Sequence, residues 1–379
     1  MDAVRKHQLW KQVPSLAGPE EAFVETTFRG EAMRLMARSP GGTCAMLGGD
    51  RLCLIHAAAG AGAKPGICRQ FPYTYVRGRD AVWVGLNLEC RSLLQARERA
   101  RSTRDADHEG ELRAQLAGGA VFTDVPDPVP LAPGLAVSPA EYLALEEKLV
   151  AAVNGDSKER SPEQSWREVA TLIRSEVQRR DARWSGREPY LEAAAWRSMG
   201  QPWVQEAQPS DSQAARTDLL NLLASDVEAW RDEARAQGQL PRVARADLFA
   251  NAARVAAGTL AVEAPYWNDP EGPDVLQTML LADLWGKEPL RHADLSRGVA
   301  EVGLKLDLVQ ALARFRAFGV SRLPLFGQDA VDAVVTVSKM MRESVVKARL
   351  ARRSGSLRWG WCAPDSESRE RWMSADRSG

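Results

Sequence analysis

At 379 residues the chain is long enough for two or three domains, each burying a core of its own. Its 45% hydrophobic and 26% charged residues describe an ordinary soluble protein. Lys+Arg and Asp+Glu number 50 each, so no global field draws the chain to nucleic acid or to an anionic membrane.

The opening stretch MDAVRKHQLWKQVPSLAG holds no apolar run of the signal-peptide kind. Nothing after it approaches the roughly 18 apolar residues of a membrane span. The expected compartment is a reducing cytoplasm, where clustered cysteines are more often metal ligands or redox groups than disulfides.

In chain order, residues 20–38 predict a helix or a mixed helix–strand segment. FPYTYV (Phe71 to Val76) and AVWVGL (Ala81 to Leu86) are aromatic and β-branched, and flank the turn RGRD. They predict a β-hairpin. Pairing Val76 with Ala81 extends backward to place Cys68 opposite Glu89 and Cys90, within the 4.5–5.5 Å of opposed antiparallel residues. Arg91 to Leu116 reads as a solvated helix, and the Pro-rich AVFTDVPDPVPLAPGLAV as an extended linker.

Beyond it the chain predicts helices. Ser138-Pro139-Ala140-Glu141 is a capping box with Pro at the first helical position, closed by Asn154-Gly155. Ser161-Pro162-Glu163-Gln164 repeats the device before Trp166, Val169, Leu172, Ile173 and Val177. Leu295, Val299, Val302, Leu306, Val309 and Leu312 recur at helical spacing. So do Val331, Val334, Val335 and Met341 after the expected cap Asp329. These stripes predict core, and no repeat period emerges. The expected fold is mainly α (α+β). A small Cys-rich domain with a hairpin spans 1–100, and a charged, Pro-rich linker 101–135. A larger all-helical domain spans 136–355, with a tail over 356–379.

Four of the five cysteines, Cys44, Cys53, Cys68 and Cys90, fall in one segment with spacing C-x8-C-x14-C-x21-C; the fifth, Cys362, is alone. The spacing lacks the C-x2-C pairs of ordinary zinc fingers but still favours a metal site. The alternative is four cysteines packed as small hydrophobes. Arg69 and Arg91, each following a candidate ligand, could offset the charge of a tetrathiolate centre. Phe71, Tyr73 and Trp83 could shield it, and His56 is a candidate extra ligand. GAGAK (Gly60 to Lys64) lacks the phosphate-loop pattern and reads as a turn. No dinucleotide fingerprint and no Ser/His/Asp grouping stands out among the four histidines. The Arg-rich KARLARRSGSLRWGWC reads as a helix end with a tail.

Around the cysteines, D50-R-L-C53-L-I-H56, K64-P65-x-x-C68-R69-Q-F71-P72-Y73 and E89-C90-R91 stand in order. This run resembles the YkgJ-type cysteine-cluster domains, a zinc- or iron-chelating family that includes the flagellin lysine-N-methylases. The resemblance covers residues 40–95. It implies a metal centre held by Cys44, Cys53, Cys68 and Cys90, as a 4Fe–4S cluster or zinc, the cluster slightly preferred. For the methylase alternative it implies S-adenosylmethionine as cofactor and a protein substrate such as flagellin. The further cysteines that family members carry upstream have no counterpart here, since none precedes Cys44. Either the frame begins further upstream, or the site is reduced to four thiols.

Overall fold

Ser138 and Ser161 begin two long helices in the way their sequence demands, and the helices they start form much of the larger core. The computed structural model describes residues 2–28, 31–38, 44–48, 53–95, 106–117, 120–154, 160–184, 212–262, 267–322, 324–354, 357 and 361. The chain is mainly α with small sheets of two or three strands. It falls into two compact units. One comprises Met1–Phe71, Ala100–Val121 and Asp232–Ala244; the other comprises Pro72–Arg99, Phe122–Arg231 and Arg245–Gly379.

In the first unit α1 (Asp2–Lys6) and two 3-10 turns lead into strands β1 (Phe23–Phe28) and β2 (Glu31–Met36). These strands pair antiparallel from Phe23–Met36 to Phe28–Glu31. The described residues of 20–38 therefore form a 3-10 turn and two paired strands with no α-helix, because Val24, Thr26, Thr27 and Phe28 are β-branched or aromatic. Short helices α2 (Leu54–Ala59) and α3 (Gly66–Gln70) follow, then α5 (Ala106–Ala117). Val4, Leu9, Ala22, Ala37, Ala45, Met46 and Ile55 make a small core. GAGAK turns as expected, through a 3-10 segment at Ala61–Ala63.

In the second unit, β3 (Tyr73–Arg77) and β4 (Val82–Leu86) form the expected hairpin. The register differs by two residues: Val76 pairs with Trp83 instead of Ala81. The Gly78 N–H donates to the Ala81 carbonyl (2.9 Å), so the turn closes one residue later on each strand. A two-residue slip preserves which side chains share a face, and Tyr75 and Val76 stay buried. The ladder ends at Tyr73–Leu86, and Cys68 lies on α3 instead of extending β3. Helix α4 (Arg91–Gln95) follows. The Pro-rich stretch forms three short strands, β5 (Phe122–Asp124), β6 (Val129–Ala132) and β7 (Leu135–Val137). β5 lies parallel to β3, and β6 pairs with β7.

Helices α6 (Pro139–Asn154), α7 (Pro162–Trp184), α8 (Ser212–Ala236) and α9 (Leu240–Ala256) come next. Then come α10 (Glu271–Trp285), α11 (Leu295–Gly319), α12 (Gly327–Met341) and α13 (Ser344–Arg352). Every residue of the Leu295-to-Leu312 stripe is buried, and so are Trp166, Val169, Ile173 and Val177 on α7. Helix α11 is buried on most of its circumference, packing on α12, α7, β6 and the 3-10 turn Glu288–Arg291. Asp329 is not itself the cap: α12 starts at Gly327, and Asp329 reaches back to accept the Phe326 N–H (2.9 Å) while pairing with Arg322 (2.7 Å). Gly85 and Gly286 let β4 touch the end of α10. A Cβ on Gly85 would stand 2.5 Å from the Gly286 Cα.

Both capping boxes form. The Ser138 N–H donates to Glu141 Oε2 (2.8 Å) and the Glu141 N–H to Ser138 Oγ (3.3 Å); Ser161 and Gln164 exchange the same pair. The Ser138 N–H, its hydroxyl and Arg180 hold the Glu141 carboxyl down at about 2. This contribution is full above the ordinary carboxylate range and is lost as pH falls through about 2. Ser138→Ala is expected to cost about 1 kcal/mol, measured as a shift of the urea midpoint at constant slope. A change below about 0.3 kcal/mol would show that the box does not hold α6.

Candidate metal centre

Three of the four predicted ligands belong to the first unit, each held by a short, hydrogen-bonded element. Cys44 opposes Arg38 in an isolated bridge, and its carbonyl accepts the Leu47 N–H (3.0 Å), closing a tight turn. Cys53 opposes Leu47 and precedes α2, its carbonyl accepting the Ala57 N–H (2.9 Å). The Met46 carbonyl accepts from Leu54 (3.0 Å), which ties the Cys44 turn to the start of α2. Cys68 sits within α3, its N–H donated to the Pro65 carbonyl (2.9 Å). Cys44 and Cys53 also lean on the small core. All three are half-buried thiols outside any disulfide.

These thiols influence one another. Burial pushes the Cys68 thiol up, and charge on Cys44 and on Cys53 pushes it further, with Lys64 opposing. Burial also raises Cys44; the Met46 N–H opposes this, Cys53 adds to it, and Arg38 opposes it. The cations that lower the cost of thiolate at these positions are thus Lys64 and Arg38. Of the two arginines that chain adjacency suggested, Arg91 instead pairs with Asp332 (2.7 Å). The usable signals were Lys64, a turn before Cys68, and the strand partner of Cys44.

Cys90 belongs to the second unit, in a turn where its N–H donates to the Asn87 carbonyl (3.0 Å). The predicted shield is divided as well. The Trp83 ring lies 4.5 Å from Lys287 Nζ within the second unit, and Phe71 is exposed. His56 is exposed on α2. Cys362 lies outside the described residues.

No protein-family model, curated protein or solved structure matches the chain. The resemblance to YkgJ-type domains therefore rests on its motif residues alone. Their donor chemistry suits a thiophilic metal, with reduced thiols brought into mutual electrostatic reach and cations beside two of them. Their placement is looser than a closed site: among the described residues, no three His, Cys, Asp or Glu side chains stand close enough to hold an ion. Also among the described residues, no helix is long and apolar enough to cross a membrane.

Sequence patterning missed a set of buried ion pairs in the second unit. Lys287 is only 1% exposed, and its ammonium binds Glu146, which also accepts the Tyr142 hydroxyl (2.7 Å). Burial lowers Lys287, with Glu146 opposing. Lys305 binds Asp283 (2.8 Å), and burial still raises the Asp283 carboxyl. Glu301 accepts from His292 (3.1 Å) and Arg297 (2.9 Å), which together hold it low against burial. Lys305 and Glu301 lie on α11 among its apolar stripe, where a periodic reading sees only core.

Proposed function

We propose that this chain is a cysteine-cluster metal-binding protein whose ligands in the first unit are Cys44, Cys53 and Cys68. The supporting observation is that three half-buried, reduced thiols sit in one unit, the Cys44 turn tied to the start of α2 by the Leu54 N–H on the Met46 carbonyl (3.0 Å), with Cys53 raising Cys44 and both raising Cys68. Three thiolates suit zinc or an iron–sulfur cluster, the metals that soft sulfur ligands select. Ligation would draw the Cys44 turn, the start of α2 and the short α3 together. Because the ligating form is the thiolate, uptake releases protons and strengthens as pH rises.

Metal analysis and ultraviolet–visible absorption of anaerobically purified protein test this reading. The expected result is bound zinc, or iron with sulfide and visible charge-transfer absorption, lost in Cys68→Ser together with thermal stability. Colourless, metal-free protein whose stability is unchanged in Cys68→Ser would overturn it. Metal retained in Cys90→Ser would confine the ligands to the first unit.

A further inference from the structure

The second unit holds a half-open cavity of about 400 Å³ walled by β3, β4, α10, α11, α12 and α13. That is the size of a small-molecule site. Three carboxylates face it, Asp283, Glu288 and Glu301, against five Arg and Lys side chains. Each carboxylate already has a cation from the same wall. Lys305 binds Asp283 (2.8 Å), Arg291 binds Glu288 (3.2 Å), and Arg297 binds Glu301 (2.9 Å). The acids are therefore paired within the wall, which leaves Lys347 unpaired and Arg342 with a partner outside the wall.

Arg342 gives one nitrogen to Glu89 (2.9 Å), which leaves other guanidinium N–H groups to donate. The Lys347 ammonium has no hydrogen-bond or ion-pair partner among the described residues. One helical turn before Arg342 stands Ser338, only 6% exposed, whose hydroxyl has no hydrogen-bond partner among the described residues. A buried hydroxyl left unpaired is costly, and such a group in a cavity wall calls for a ligand atom. The rest of the wall includes Leu86, Leu88, Val302 and Met341, an apolar surface.

We infer that this cavity binds a small organic oxyanion, with its charged head at Ser338, Arg342 and Lys347 and its apolar body against Leu88, Val302 and Met341. The unpaired Lys347 and the spare N–H groups of Arg342 select the sign of the ligand, the hydroxyl places one oxygen, and the volume limits it to a small molecule. The inference is independent of the thiols, which belong to the other unit.

Isothermal titration of the full chain tests it with phenyl phosphate and octanoate as probes. Phenol and benzylamine serve as the neutral and cationic controls. The expected result is saturable one-to-one binding of at least one anion, weakened by added salt because Arg342 and Lys347 reach solvent. Arg342→Gln/Lys347→Gln should weaken it at least tenfold, and Ser338→Ala severalfold. Both cations are exposed, so the double variant should keep the parental circular dichroism and thermal midpoint. The inference is overturned if neither anion binds, if phenol or benzylamine binds as tightly, or if the folded double variant binds with parental affinity.

Discussion

Lys287→Met is expected to lose about 3–5 kcal/mol of folding stability, the cost of stranding one member of a buried ion pair. The ammonium of Lys287 sits against Glu146, with the Trp83 ring at 4.5 Å and the Tyr142 ring at 5.8 Å. Removing it leaves Glu146, 8% exposed, with the Tyr142 hydroxyl as its one remaining donor among the bonds described. It also removes a desolvated cation–π contact of about 2 kcal/mol. The double variant Glu146→Leu/Lys287→Met should recover most of the loss, because apolar replacement of both charges is often close to neutral. Urea unfolding of both variants decides the matter. A single-variant cost below about 1 kcal/mol, or a double variant no better than the single, would mean that the pair does not hold α6 to the segment after α10.

Gly298→Ala should destabilise by about 3 kcal/mol, the upper end of over-packing, since the obstacle is backbone instead of a movable side chain. A Cβ at Gly298 would stand 2.5 Å from the Pro289 Cα and 2.6 Å from its carbonyl carbon. To relieve that contact, the 3-10 turn Glu288–Arg291 must move away from α11. Glu288, Arg291 and His292 all line the cavity, so the same change should weaken oxyanion binding more than its stability cost alone explains. Gly319→Ala, on the same helix with nothing within 4 Å of the added carbon, is the matched control. It should change stability by less than about 0.5 kcal/mol. Equal effects at the two positions would rule out the steric account.

Local chemistry was the most legible part of the sequence. Ser138 and Ser161 with their Glu and Gln partners, the apolar stripes of α7 and α11, and the hairpin between Tyr73 and Leu86 follow from residue type and spacing over a few positions. A cap needs one side chain to reach three residues ahead, and a stripe needs only the helical period. The hairpin's existence was legible in the same way, but its register depended on which carbonyl closed the turn. The pairing expected to bring Cys68 opposite Cys90 is absent for a different reason, since the ladder stops at Tyr73–Leu86 and Cys68 lies on α3.

By itself, then, the sequence determined that this is a mainly α chain with an α-rich C-terminal part, a small β-hairpin and four clustered candidate thiol ligands. Tertiary structure decided that Arg38 lies across from Cys44 and that Cys68 rides on a helix. It also decided that α11 carries Glu301 and Lys305 into a walled cavity. The physical reason is one of range. Caps and periodicity are settled within a turn of helix, whereas ion pairs such as Lys287–Glu146 join residues 141 positions apart. Such partners can be read only once the chain has folded them together.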